Sequence, residues 1–371
     1  MGGPPGRVMS EKGFLQSTPV KVVQLLLFLY LFLLSISLMG ASFKMFGKEF
    51  AETLISTTSN PLVGLFIGIL ATSLIQSSSS TTSLVVGMVG GGVLSVPNAI
   101  PIIMGANIGT SVTNTLVSLA HVNRSNEFRR SFAASTVHDF FNILSVIIIF
   151  PLQYAFNILG YLANLFGNTF QDLGGFTFFN PLKAITKPVA KWMIHMMGDL
   201  PWIALIVSIV LLFLALKQIV SSLKILVVQR AERWFDTVLF KNAVRAFFVG
   251  LLLTILAQSS SITTSLIIPL AGAGLLTLRQ IFPYTLGANI GTTITAILAA
   301  LVTANVSAIV VSFAHLIFNV LGIILAWPLK AIPINLAEGI AGLAVKNRWI
   351  PFGYIIGVFF LLPLLIIFVF K

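Results

Sequence analysis

The chain has no cysteine among its 371 residues, and 10 acidic residues stand against 22 basic ones. Without cysteine there is no disulfide to staple a fold and no thiolate to hold a metal. Charge of either sign is scarce, at 9% of positions, where soluble domains carry about 25%. So little charge cannot cover a surface folded in water. Segments of about ten alternating residues, which a membrane β-barrel needs, are missing too.

What is there is apolar. Hydrophobic residues fill 57% of positions, and the mean hydropathy is +1.01. The runs Val22–Phe43, Trp202–Leu216, Ala304–Trp327 and Pro351–Phe370 approach or reach the roughly 20 residues that cross a bilayer as helix. Inside hydrocarbon every backbone group must be paired within the chain, so the spans are helices. Gly40-Ala41-Ser42 offers small residues like those of a signal cleavage site, but Val22–Phe43 exceeds the apolar core of about 7–15 residues of such signals. It reads as a span. The net charge of +12 does not imply nucleic acid, because the basic residues lie in short connections, as positive-inside topology requires. The partner implied is the lipid bilayer.

One unit is written twice. Gln76-Ser77-Ser78-Ser79-Ser80-Thr81-Thr82-Ser83 recurs as Gln258-Ser259-Ser260-Ser261-Ile262-Thr263-Thr264-Ser265. Gly105-Ala106-Asn107-Ile108-Gly109-Thr110 recurs as Gly287-Ala288-Asn289-Ile290-Gly291-Thr292 at the same offset of 182. Without a gap, 60–114 and 242–296 share 25 identities in 55 positions. His138, Asn142 and Pro151 match His315, Asn319 and Pro328 further on. The sequence therefore predicts an N-terminal tail (1–21), a first membrane repeat (22–151), a connection (152–203), a second repeat (204–328) and a C-terminal segment with one more span (329–371).

Equivalent loops alternate in charge. Lys44, Lys48, Glu49 and Glu52 cancel after the first leading span, whereas Arg230, Arg233 and Lys241 outweigh Glu232 and Asp236 after the second. Arg124, Arg129 and Arg130 follow the first Gly-Ala-Asn segment, while Leu301–Val306 carries no charge. Such alternation is expected of repeats that face opposite sides. The fold class expected is an all-α integral membrane protein of two inverted-topology repeats. That architecture belongs to secondary transporters, with the substrate near the midplane. Lys183, Lys187 and Lys191 in the connection run against a simple outside placement of that loop.

Each Gln-Ser-Ser-Ser block sits inside a hydrophobic stretch whose flanks, such as Leu62–Ile75 and Leu84–Leu94, are too short to span alone. Short, interrupted segments at matching places point to a transporter site, so each block reads as the tip of a re-entrant helical hairpin. Hydroxyls and amides both donate and accept; they ligate sodium through oxygen and donate to phosphate oxygens. Freed N–H groups at half-helix N-termini favour an anion. The oxyanion candidates are Gln76, Ser77, Ser78, Ser79, Gln258, Ser259, Ser260, Ser261, Asn107 and Asn289. The small-cation candidates are Thr81, Thr82, Ser83, Thr263, Thr264, Ser265, Thr110, Thr113, Thr292, Thr295, Asp139 and Asn142. No catalytic residue is expected.

Blander readings stand beside these. Serine and threonine also serve as interhelical glue, and the Gly-Ala-Asn segments suit a tight helix crossing. Asp139 is either a functional acid inside a span or a headgroup-level residue. His138 and His315 fit a hydrogen-bonding role as well as a proton site.

The two serine blocks, the two Gly-Ala-Asn-Ile-Gly-Thr segments, and Glu127-Phe128-Arg129-Arg130-Ser131-Phe132 with Thr136-Val137-His138-Asp139-Phe140-Phe141-Asn142 resemble the type II sodium-dependent phosphate cotransporters. The resemblance covers about 60–151 and 242–328. It implies symport of inorganic phosphate with sodium across the plasma membrane by alternating access, with both ions bound at the two hairpins and no organic cofactor. Where electrogenic animal members carry an Ala-Gly-Asp triplet tied to an additional sodium, this chain has Val122-Asn123-Arg124, which points to electroneutral coupling. The short, cysteine-free connection resembles a bacterial member, placing the chain in an inner membrane. Rival readings are a carrier of another oxyanion or a carboxylate, a channel, and an intramembrane serine hydrolase. The last needs one serine activated by a base, which a duplicated block does not favour. The sequence gives no sign of an oligomer.

Overall fold

The computed structural model describes residues 18–172, 175–223 and 240–370, and every regular element among them is helical. Most of the expected tail and the charged loop with Arg230, Glu232, Arg233 and Asp236 lie outside the described residues. The first copy runs as α1 (Thr18–Met45), α2 (Lys48–Thr57), α3 (Pro61–Ile75), α4 (Ser78–Gly91), α5 (Val96–Gly109), α6 (Val112–Leu119) and α7 (Ser125–Phe156). Two helices follow, α8 (Ile158–Asp172) and α9 (Gly175–Met196). The second copy is α10 (Pro201–Leu223), α11 (Ala243–Ala257), α12 (Ser260–Ser265), α13 (Ile267–Gly272), α14 (Leu278–Thr303) and α15 (Val306–Ala326). After it come α16 (Ala331–Lys346) and α17 (Trp349–Phe370).

Among the described residues, seven helical stretches are long and apolar enough to cross a bilayer, and α3 and α11 are shorter apolar helices. The protein is an all-α integral membrane protein. Leu361, Leu364, Leu365 and Phe368 of α17 and Ile206 and Leu214 of α10 point outward, as lipid-facing side chains do. The expected first-copy limit at 151 falls within α7, which passes through Pro151 and turns at Asn157, in the left-handed region at φ 48. The expected connection is therefore largely helical, with α8 against α15 and α9 against α1.

Local signals repeat with the sequence. Asn60 caps α3 by accepting from Leu62 N at 3.0 Å, and Asn242 caps α11 by accepting from Arg245 N at 2.8 Å. Each of these helices then packs along the Gly-Ala-Asn helix of its own copy, α3 on α5 and α11 on α14. Glycine makes both crossings possible. A Cβ at Gly105 would meet the carbonyl of Leu65, and one at Gly287 the carbonyl of Phe247.

Equivalent positions finish far apart. Gly90 at the end of α4 packs against Thr303, the last residue of α14. Its counterpart Gly272 lies by the beginning of α14, where Gly274, Leu278 and Arg130 share a cleft. The 26 residues of α14 rise about 39 Å.

Candidate functional site

Both Gln-Ser-Ser-Ser blocks fall at a break between two helices, and the breaks are alike. Gln76 closes α3 at φ 57 and Gln258 closes α11 at φ 50, both left-handed. Ser77 then caps α4, its hydroxyl accepting from Ser80 N at 3.2 Å, and Ser259 caps α12, accepting from Ile262 N at 3.4 Å. The amides of Ser78, Ser79, Ser260 and Ser261 lie in first turns, where no intrahelical acceptor exists. α12 packs against α4, which brings the helix after one serine block against the helix after the other.

The threonines are spoken for as donors. Thr81 and Thr82 donate to the carbonyls of Ser77 and Ser78 at 3.1 and 2.8 Å, and Thr263 and Thr264 to those of Ser259 and Ser260 at 2.9 and 2.7 Å. Thr110 and Thr292 do likewise to Ala106 and Ala288, both at 3.1 Å. A hydroxyl that has donated keeps its oxygen lone pairs, so these groups remain acceptors. Ser79, Ser83 and Thr113 bury hydroxyls with no hydrogen-bond partner among the described residues. So do Thr72 and Thr254, a matched pair that sequence reasoning missed. Their signal was the identity at position 72 of one copy and 254 of the other.

The copies differ at their glutamines. Gln258 is buried; its Oε1 accepts from Thr295 at 2.8 Å and its Nε2 donates to Ile255 O at 2.6 Å. Gln76 is exposed, with no side-chain bond to a described residue, and the matching Thr113 is left without a partner.

Asn107 and Asn289 form a reciprocal bracket between the copies. Asn107 donates to Asn319 Oδ1 at 3.0 Å and accepts from His315 Nε2 at 3.0 Å. Asn289 donates to Asn142 Oδ1 at 2.8 Å and accepts from His138 Nε2 at 2.6 Å. A carboxamide oxygen only accepts, so both histidines carry their proton on Nε2. Their Nδ1 atoms are buried and have no partner among the described residues. Asn142 also donates to the backbone carbonyl of Asn107 at 2.9 Å. Three expected ion ligands, Asn107, Asn289 and Asn142, are thus brought together but already bonded to protein.

Two polar residues break the symmetry. Asp139, opposite Leu316 in the repeat, is fully buried within α7, not at its surface end. Its Oδ2 accepts from Tyr354 of α17 at 3.0 Å, while Oδ1 has no hydrogen-bond partner among the described residues and Ser111 lies beside the carboxyl group. Asn114, whose counterpart is Ala296, reaches across the copies. It donates to Thr264 Oγ1 at 2.8 Å and accepts from Ser265 Oγ at 2.9 Å. Sequence reasoning overlooked Asn114 because it is not duplicated, although an amide in an apolar run was visible.

The outer ends of the serine-block helices are also held from the opposite copy. Arg130 donates to Gly272 O from Nε and Nη2 at 2.9 and 2.6 Å. Asn305 donates to Gly90 O at 3.2 Å.

Comparison with known proteins places these features in company. The protein-family description "Na+/Pi-cotransporter" matches residues 31–175 and 211–345. A human protein named sodium-dependent phosphate transport protein 2B is 34% identical over 93% of this chain and 64% of its own length. A rat protein named sodium-dependent phosphate transport protein 2A is 35% identical over 94% of this chain and 67% of its own. The chain therefore spans about two thirds of the length of these relatives. No solved structure matches.

Proposed function

This chain belongs to the Na+/Pi-cotransporter family, and we propose that it carries inorganic phosphate into the cell with sodium, across the plasma membrane. Phosphate sits between the two serine breaks, met by the first-turn amides of α4 and α12 and by Ser78, Ser79, Ser260 and Ser261. Sodium is taken by oxygens left over beside them: Ser83 and Thr113 in the first copy, the threonine oxygens of both, and Asp139 Oδ1.

The observation that carries this reading is the unequal pair of glutamines. Gln258 is fastened to Thr295, whereas Gln76 is exposed and makes no bond to Thr113. Two copies of one motif held in opposite states support alternating access in which the breaks exchange roles. Equivalent glycines at opposite ends of α14 support inverted repeats. Both histidines turn Nε2 to asparagine, so neither holds a serine for hydrolysis, and the carrier reading stands above the enzyme.

Labelled-phosphate uptake into proteoliposomes tests it, with an inward sodium gradient against an equal potassium gradient. Uptake with sodium alone is expected. Folded protein that accumulates no phosphate under either gradient overturns the proposal. Competition by arsenate or a dicarboxylate would then define the cargo.

A further inference from the structure

A second basic site lies away from the serine breaks. A cleft of about 420 Å³ between α1, α9 and the end of α14 is lined by Lys44, Lys187 and Lys191, with Ser37, Gly90 and Thr303. No carboxylate lines it, and none of the three ammonium groups has an ion pair or hydrogen bond among the described residues. Lys187 and Lys191 share one face of α9, a spacing at which like charges repel. The cleft therefore concentrates positive charge without neutralising it.

Its place in the membrane makes the lysines harder to explain as topology. Arg129 and Arg130 line a different cleft at the beginning of α14, beside Glu338. The lysine cleft lies at the other end of that helix, about 39 Å away. If the arginines mark the inner face, as basic loops do, the lysines stand on the outer face, where topology supplies no reason for them. Gly90 is also twelve residues beyond Ser78 on α4, about 18 Å along the helix, so the cleft is separate from the serine breaks.

We propose that the Lys44–Lys187–Lys191 cleft is a second anion site, built for a phosphate group, at the membrane face opposite Arg129 and Arg130. Basic pockets between spanning helices hold lipid headgroups on the cytoplasmic side, and this cleft offers the same chemistry to the outer leaflet; a basic vestibule also raises the local concentration of a free anion. The chemistry recognised is the same: a tetrahedral phosphate carrying negative charge. The free-phosphate source rests on the transport reading above; the lipid source does not.

The test uses the full chain and the triple variant K44Q/K187Q/K191Q, with the arginine triple as the charge-preserving control. Native mass spectrometry follows binding of dioleoylphosphatidylglycerol and, separately, dioleoylphosphatidylcholine. Sodium-driven uptake in phosphatidylcholine vesicles gives KM and kcat for inorganic phosphate at low ionic strength. If the source is lipid, phosphatidylglycerol binding weakens by about fivefold for each lysine removed, while phosphatidylcholine binding holds. If it is free phosphate, KM rises severalfold with kcat unchanged. The arginine triple restores either effect. A glutamine triple that keeps its thermal midpoint and wild-type values in both arms overturns the proposal. Should that triple fail to fold, K187Q/K191Q is read in the same way. A wild-type chain that transports nothing, together with a glutamine triple that loses phosphatidylglycerol binding, would sink the transport reading and leave this site standing.

Discussion

At the scale of single residues, Gln76 and Gln258 carry the same chemistry in different surroundings, so their variants should separate folding from transport. Gln258→Ala leaves Thr295 without its acceptor inside the protein, which costs about 1–3 kcal/mol. Gln76→Ala removes an exposed side chain that bonds to no described residue, so the thermal midpoint should stay near wild type. Both variants are expected to abolish uptake. Normal transport in the two together would remove the serine breaks as the binding site. Asp139→Asn keeps the shape and the bond to Tyr354 but loses the negative charge. The apparent KM for sodium should rise by about tenfold or more, the scale of one lost bond to a charged group, with the phosphate KM moving less. Unchanged sodium dependence would return Asp139 to a structural role.

At the scale of elements, interest lies in where helices stop. Pro269 has no N–H to offer the carbonyl of Ser265, and the helix is interrupted there, between α12 and α13. Its counterpart in the first copy is Gly87, and α4 runs on unbroken. Pro269→Ala should join the two short helices and raise stability by up to about 3 kcal/mol, while slowing uptake if the second break must flex. Faster or unchanged uptake in the more stable variant would argue that α12 and α13 move as one piece. Gly287→Val should fail differently, driving a side chain into the backbone of α11, and is expected to lose the folded peak in size-exclusion chromatography. Much of this was legible beforehand. Duplication marked both breaks, and the small residues of the Gly-Ala-Asn segments marked the crossings. The helical nature of 152–172 and 175–196 was hidden, since Pro151 invites a boundary that α7 ignores. The unequal glutamines were hidden for a deeper reason. Identical motifs cannot encode a difference between themselves; it arises from unlike neighbours, such as Asn114 beside Thr264 where the other copy has only Ala296.

At the scale of the whole molecule, what crosses the membrane is set by charge. The two copies grip each other reciprocally, His315 and Asn319 on Asn107, His138 and Asn142 on Asn289, and no carboxylate, lysine or arginine takes part in that bracket. Asp139 is the one fully buried acid among the described residues. A divalent hydrogen phosphate with two sodium ions is neutral, so a carrier of fixed internal charge moves no net charge when it reorients with that load. A further acid at membrane depth would mark a further sodium site. The Val122-Asn123-Arg124 stretch does not supply one, because Asn123 and Arg124 are exposed and Arg124 pairs with Glu127 at 3.2 Å. Uptake should therefore be electroneutral. A carrier moving one net charge would change its accumulation ratio by about fiftyfold for each 100 mV, from roughly 2.3 kcal/mol per charge. Proteoliposomes clamped with valinomycin at 0 and −100 mV resolve that easily. Equal accumulation at both potentials fits two sodium ions for each divalent phosphate; a change approaching fiftyfold would mean an additional sodium ion, held by groups other than Asp139.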